Sequence, residues 1–155
     1  MRSDFSWLII PSIVIGVIVF LSKQTREGEQ VQDSVRTINV AQIAFFYEEG
    51  RFATSIEELH IGDKLRTDNY DYSIVLNHQA AFNYAIPRSH NLKVYVGGVY
   101  LNPFSTNQSI NQVDDKPKIP TILCEDNFIG RNKPELPTVD LGVLDCGKGT
   151  TKIGS

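Results

Sequence analysis

Hydrophobic and polar positions divide the chain into three regimes. From Phe5 to Ser22 there are eighteen consecutive uncharged residues, bounded by Asp4 and Lys23. At 1.5 Å per residue, a helix of that length spans about 27 Å, close to the hydrocarbon core of a bilayer. Next comes a stretch in which Val31, Val35, Ile38, Ala41 and Phe45 recur at intervals of three and four. That spacing predicts one apolar stripe on an amphipathic helix over residues 23–49. Gln32, Asp33, Arg36, Asn39 and Gln42 are expected on its other side. Gly50 reads as the left-handed residue that ends the helix. Thr54 with Glu57, and Ser55 with Glu58, fit capping boxes and predict a short second helix there.

Beyond residue 69 the period drops to two. Tyr70, Tyr72, Ile74 and Leu76 alternate, then Ala80, Phe82, Tyr84 and Ile86, then Leu92, Val94 and Val96. Short alternating runs predict half-buried strands. The connections at Asn77–Gln79 and Pro87–Asn91 are short, which forces antiparallel neighbours. The expected product is a meander of about three strands with one apolar face, covered by the helix stripe. Gly97-Gly98 is expected to be a bulge or bend. Five of the seven prolines fall after Asn102, so the last third is expected to be largely irregular. Short edge strands are expected at Ile122-Leu123 and Val139-Asp140-Leu141.

The leading apolar run admits three readings. A cleavable signal needs small residues after the run, and the first alanine is Ala41. A core helix alternates with polar positions, and this run does not. A retained membrane anchor fits best, marked by Phe5, Trp7, Pro11, Gly16 and Leu21, with residues 1–22 as anchor and 23–155 as head. Lysine and arginine counts on the two sides slightly favour a cytoplasmic head. Cysteine use argues the opposite. Cys124 and Cys146 are the only two cysteines. Either they remain free and buried, or they bridge and close the proline-rich tail, which requires an oxidising compartment.

Composition narrows the chemistry. A net charge of −3 and a pI near 5.6 do not favour a basic nucleic-acid binder, and no nucleic-acid site is evident. With 41% hydrophobic and 21% charged residues, the chain has material for a core. No phosphate-cradling, nucleophile-elbow or H-E-x-x-H motif occurs. His60, His78 and His90 are scattered and lack ligand spacing, and Asp114-Asp115 lies in a polar stretch without the calcium-loop pattern. Asn107-Gln108-Ser109 matches a glycosylation sequon. Neither a cofactor nor a catalytic residue is expected, so an anchored hydrolase or metalloenzyme is the weakest reading.

The segment from Ile38 to Leu59, INVAQIAFFYEEGRFATSIEEL, resembles the stem end of type IV pilin-like proteins of the kind common in cyanobacteria. The resemblance implies an α+β fold: a long amino-terminal helix, anchor plus stem, packed on a small antiparallel sheet, with a disulfide-closed carboxyl-terminal region. It implies a non-enzymatic, single-pass membrane protein with its head outside the cytoplasm. The partners it implies are the membrane and other pilin or secretion subunits, with a homo-oligomer among the arrangements allowed. Asp4 stands where the family has a glycine before its cleavage point, and Ile9 where it has a glutamate. These departures favour an accessory subunit of a pilus or secretion assembly over a major filament subunit. The alternative is an anchored binding module that does not polymerise.

Overall fold

The computed structural model describes residues 10–65, 68–101, 119–140 and 143–154. Helix α1 runs unbroken from Ile10 to Glu49, about 60 Å at 1.5 Å per residue. It crosses the change from apolar run to amphipathic stem without interruption. Gly50 ends it with φ +71°, and its N–H donates to the Phe46 carbonyl at 2.9 Å. Only glycine takes that backbone conformation without a Cβ penalty.

The short helix expected after Thr54 does not form. The capping contacts are present: Glu58 Oε2 accepts from the Thr54 N–H at 2.8 Å, and Ser55 Oγ accepts from the Glu58 N–H at 3.4 Å. The chain instead makes tight three-residue turns, with Leu59 N–H bonded to Ile56 O and His60 N–H to Glu57 O. His60 then reverses direction at φ +52°. Leu59 and Ile61 are thereby turned onto Ile38 and Ala53. A single 3₁₀ turn follows at Gly62–Lys64. Tertiary burial of two apolar side chains outweighs a weak local helix preference.

Strands β1 (Tyr70–Leu76), β2 (Ala80–Pro87) and β3 (Lys93–Tyr100) form the expected antiparallel meander. An Asx turn closes the first connection, the Asn77 side-chain oxygen accepting from the Gln79 N–H at 2.9 Å. The sheet does not stop there. Strands β4 (Thr121–Ile129) and β7 (Thr150–Lys152) extend it to five, in the order β1-β2-β3-β4-β7. Strands β5 (Thr138–Asp140) and β6 (Val143–Asp145) form a separate hairpin. So Ile122 and Leu123, expected on an edge, lie in an interior strand. Val139 and Asp140 are in β5, and Leu141 lies outside the described residues.

The sheet also has two covered faces, not one. The helix is met by the small-residue face, with Ala81, Asn83 and Ala85 on β2 and Gly97 on β3. The residues expected beneath the helix, Ala80, Phe82, Tyr84, Val94 and Val96, point the other way. They pack with Tyr100, Ile122 and Cys124 in a second core, against which Leu144 and Cys146 lie. On β1 the expectation holds, since Tyr70, Tyr72 and Ile74 join the clusters on the helix side. A helix can approach a sheet closely where the facing side chains are small, while the bulky face needs its own cover.

Candidate functional site

The candidate site is a pair of packing surfaces: the helix–sheet seam and the disulfide-closed face. In the seam, Val31, Val35 and Ile38 are wholly buried, each worth about 1.5–3 kcal/mol of transfer free energy. Ala41 and Phe45 are half-buried against Ala53, Leu59 and Ile61. Between them lie two polar side chains expected on the wet side of the helix. Asn39 is 4% exposed and Gln42 wholly buried. Each stays inside because it is paired. The Asn39 Nδ2 donates to the Ile122 carbonyl at 3.1 Å, and its Oδ1 accepts from Asn83 Nδ2 at 2.8 Å. Gln42 grips the backbone of Ala53 at both ends, donating to its carbonyl at 3.0 Å and accepting from its N–H at 2.9 Å. Meanwhile Val40 is 65% exposed.

The Gln42 clamp ties the chain after the helix back onto the stem. Gln42→Ala strands both backbone groups of Ala53 in a dry site, a loss of about 2 kcal/mol. Urea unfolding monitored by circular dichroism reads it as a lower midpoint with an unchanged slope. An unshifted midpoint would show that water replaces the clamp.

Gly97-Gly98 is neither bulge nor bend. The register shift in this part of the sheet falls between Lys93 and Tyr95. A Cβ on Gly97 would lie 2.3 Å from Asn39 Oδ1 and 2.7 Å from Val35 Cγ1, so the glycine marks where helix and strand touch. A Cβ on Gly98 would meet the Tyr100 ring at 2.7 Å on the other face.

On that other face, Cys124 and Cys146 are joined as a disulfide, with Cα atoms 5.8 Å apart. The Tyr84 hydroxyl donates to the Pro134 carbonyl at 3.3 Å, and the Tyr100 hydroxyl donates to the Pro137 carbonyl. Lys133 Nζ sits 4.9 Å over the Tyr84 ring. The proline-rich strap is thus held by two phenols, one cation and one covalent bond. Proline supplies carbonyl acceptors without adding a backbone donor that needs a partner.

Burial pushes the hydroxyls of Tyr70, Tyr95 and Tyr100 well above their ordinary range, and Tyr84 in the same direction. Neighbouring carboxylates add to this at Tyr70 and Tyr95. In the unfolded chain these phenols ionise near pH 10, whereas in the fold they hold their protons longer. Their contribution to stability is therefore complete below pH 10 and declines as pH rises above it. Phenolate absorbance at 295 nm should rise together with loss of the β-sheet signal above pH 10. Independent titration of these four tyrosines near 10, with the fold intact, would contradict this. Glu58 is lowered by the Thr54 N–H first and Arg51 second, and Glu57 chiefly by a backbone hydrogen bond.

Among the described residues, no group of three or more His, Cys, Asp or Glu side chains is placed to hold a metal ion. His60 lines a groove of about 450 Å³ beside Phe45 and Glu58, while His78 and His90 are exposed in turns. The Asp114-Asp115 stretch and the sequon at Asn107 lie outside the described residues. Of the anchor positions, Phe5 and Trp7 also lie outside them, while Pro11, Gly16 and Leu21 belong to α1. No helix among the described residues is long and apolar enough to cross a membrane. Thirteen of the eighteen uncharged residues, Ile10 to Ser22, fall within it.

A family model described as type IV pilin-like G and H matches residues 29–147. The chain belongs to that family. The matched span begins in the stem of α1, takes in β1 to β6 and closes just after the second cysteine of the pair. For this pilin-like chain, no curated protein and no solved structure matched. One helix packed on an antiparallel sheet, with the Cys124–Cys146 bridge, fits a pilin-like fold.

Proposed function

We propose that this protein is a non-enzymatic, membrane-anchored pilin-like protein and an accessory subunit of a type IV pilus or related secretion assembly. The family match from residue 29 to residue 147 carries the reading. In it, Phe5 to Leu21 hold the chain in the bilayer as a single pass. The stem stripe carries the head, and the disulfide-closed face looks away from the cytoplasm. The bridge supports that orientation, because disulfides persist in oxidising compartments. The assembly would serve motility, adhesion or DNA uptake.

Crosslinking in intact cells tests the role. Adducts with pilus or secretion components are expected, and an isolated monomer would overturn it. Labelling with a membrane-impermeant maleimide tests the topology. Cys124 and Cys146 should react only after reductant is added to whole cells. Thiols that react only after lysis would place the head on the other side. A second reading, an anchored binding module that does not assemble, rests on Asp4 and Ile9 standing where the family carries glycine and glutamate.

A further inference from the structure

We propose that the lower end of the head is a second lipid contact, in which Phe128 and Ile129 enter the headgroup layer beside the point where α1 leaves the bilayer. This rests on the anchored reading above. The placement follows from register. Gly97 lies against Val35 and Asn39, and Val99 shares a cluster with Ile43 and Phe46, so β3 ascends with α1. Descending β3 from Gly97 leads to Lys93, which pairs with Ile129 at the end of β4. The Gly130 N–H donates to the Leu92 carbonyl at 2.9 Å and closes this end. Its height on the helix is fixed beside it. Asn69, whose carbonyl accepts the Arg88 N–H, donates through Nδ2 to Glu27 Oε1 at 2.5 Å. Glu27 is five residues past Ser22, about 7.5 Å along the helix. The headgroup layer of each leaflet is about 5–8 Å thick. The lower end of the head therefore stands at headgroup depth when Ser22 marks the edge of the hydrocarbon.

At this end the sheet presents its two most unusual side chains. Phe128 is 72% exposed and Ile129 63% exposed, adjacent at the end of β4, where its pairing with β3 is irregular. The groove beside them is lined by Lys133 and Lys148 but also by Asp126 and Glu135. With both signs present, attraction to anionic lipid does not drive the contact. Apolar insertion does, and the matching partner is the boundary between headgroups and acyl chains of a zwitterionic bilayer.

The test uses the full chain in phosphatidylcholine vesicles, with and without lipid brominated near the headgroup end of its acyl chains. Trp7 is the only native tryptophan, so the unsubstituted protein reports whether the amino-terminal run is in lipid. Trp7→Phe/Phe128→Trp and, independently, Trp7→Phe/Ile129→Trp report the lower end of the head. Trp7→Phe/Leu76→Trp reports the opposite end of the sheet. Loss of fluorescence and a blue shift are expected at positions 128 and 129 but not at 76, with little change on adding salt. An unquenched, water-like indole at 128 and 129, in vesicles that do quench Trp7, would overturn the contact and leave the anchor standing. Equal quenching at 76 would overturn it as general adsorption. Absence of Trp7 quenching would remove the anchor and the contact together.

Discussion

Replacing Cys124 and Cys146 together by alanine lowers the free energy of unfolding by about 3 kcal/mol. The bridge closes a loop of 21 intervening residues. In the chain-entropy account, opening a loop of that size frees the unfolded state by about that amount. The native side agrees. Cys124 is fully buried on an interior strand, in one cluster with Phe82, Tyr84 and Tyr100. Pro134, Pro137, Leu144 and Cys146 of the strap lie over those rings. Apart from the bridge, the strap is tied down there by two phenolic hydrogen bonds, by Leu144 and by Lys133 over the Tyr84 ring. Two such hydrogen bonds contribute about 1 kcal/mol each, less together than the covalent link. The first consequence of reduction is therefore local: the strap lifts and the bulky face of the sheet meets water. Guanidinium unfolding of the double variant gives the stability loss. Binding of a hydrophobic dye to the reduced native protein, below its unfolding midpoint, reports the lifted strap. A dye-silent reduced protein with an unshifted midpoint would mean that the noncovalent contacts of the strap hold the second face without the bridge.

The stem, its end at Gly50 and the three-strand meander were legible because each is written in local chemistry. Helical spacing, a left-handed glycine and short connections between alternating runs act within a few residues. Strand β4 was largely illegible beyond Ile122 and Leu123, because Glu125, Asp126 and Asn127 interrupt its apolar pattern. Two of them are satisfied by distant partners, Glu125 by Lys93 and Asn127 by Thr151, while Asp126 accepts from the nearby Phe128 N–H. The double-sided core was illegible for a related reason. A period-two pattern picks out the bulkier face, yet Ala81, Asn83 and Ala85 are as deeply buried as Phe82 and Tyr84. Polarity alone assigns Asn39 and Gln42 to the wet side. Helical spacing puts Asn39 four residues from Val35 and Gln42 four from Ile38, toward the buried side; the carbonyls at Ile122 and Ala53 that satisfy them there are what it cannot reveal. Beside the helix stripe, a glycine pair inside an alternating strand is the signal of which sheet face meets the helix. It pointed to close backbone approach as much as to a bulge.

Gly97→Leu is expected to cost about 4 kcal/mol, the largest effect of a single substitution here. Its first added atom would lie within 3 Å of three side-chain atoms on Val35 and Asn39. Val35 is a β-branched residue in the middle of a 40-residue helix, wholly buried, with little rotamer freedom. Asn39 cannot swing aside without releasing the Ile122 carbonyl and the Asn83 amide at once. Overpacking costs about 1–3 kcal/mol, and each stranded buried polar group adds about 1–3 kcal/mol. The side chains do not yield, so the helix does. Moving α1 away from β3 opens the layer that holds Val31, Val35 and Ile38, and the damage spreads along the stem. Gly98→Leu separates this from a general intolerance of side chains in the strand. Its Cβ points at the Tyr100 ring and Ile122, on the strap side. It should disturb the Tyr100 bond to Pro137 and leave the stem in place. Hydrogen exchange reads the difference directly. Gly97→Leu should raise exchange of α1 amides between Val31 and Gln42, while Gly98→Leu should raise it in β4 and the strap. Equal, local effects from both would mean that helix and sheet are not in register through Gly97, and that the stem carries the head by some other contact.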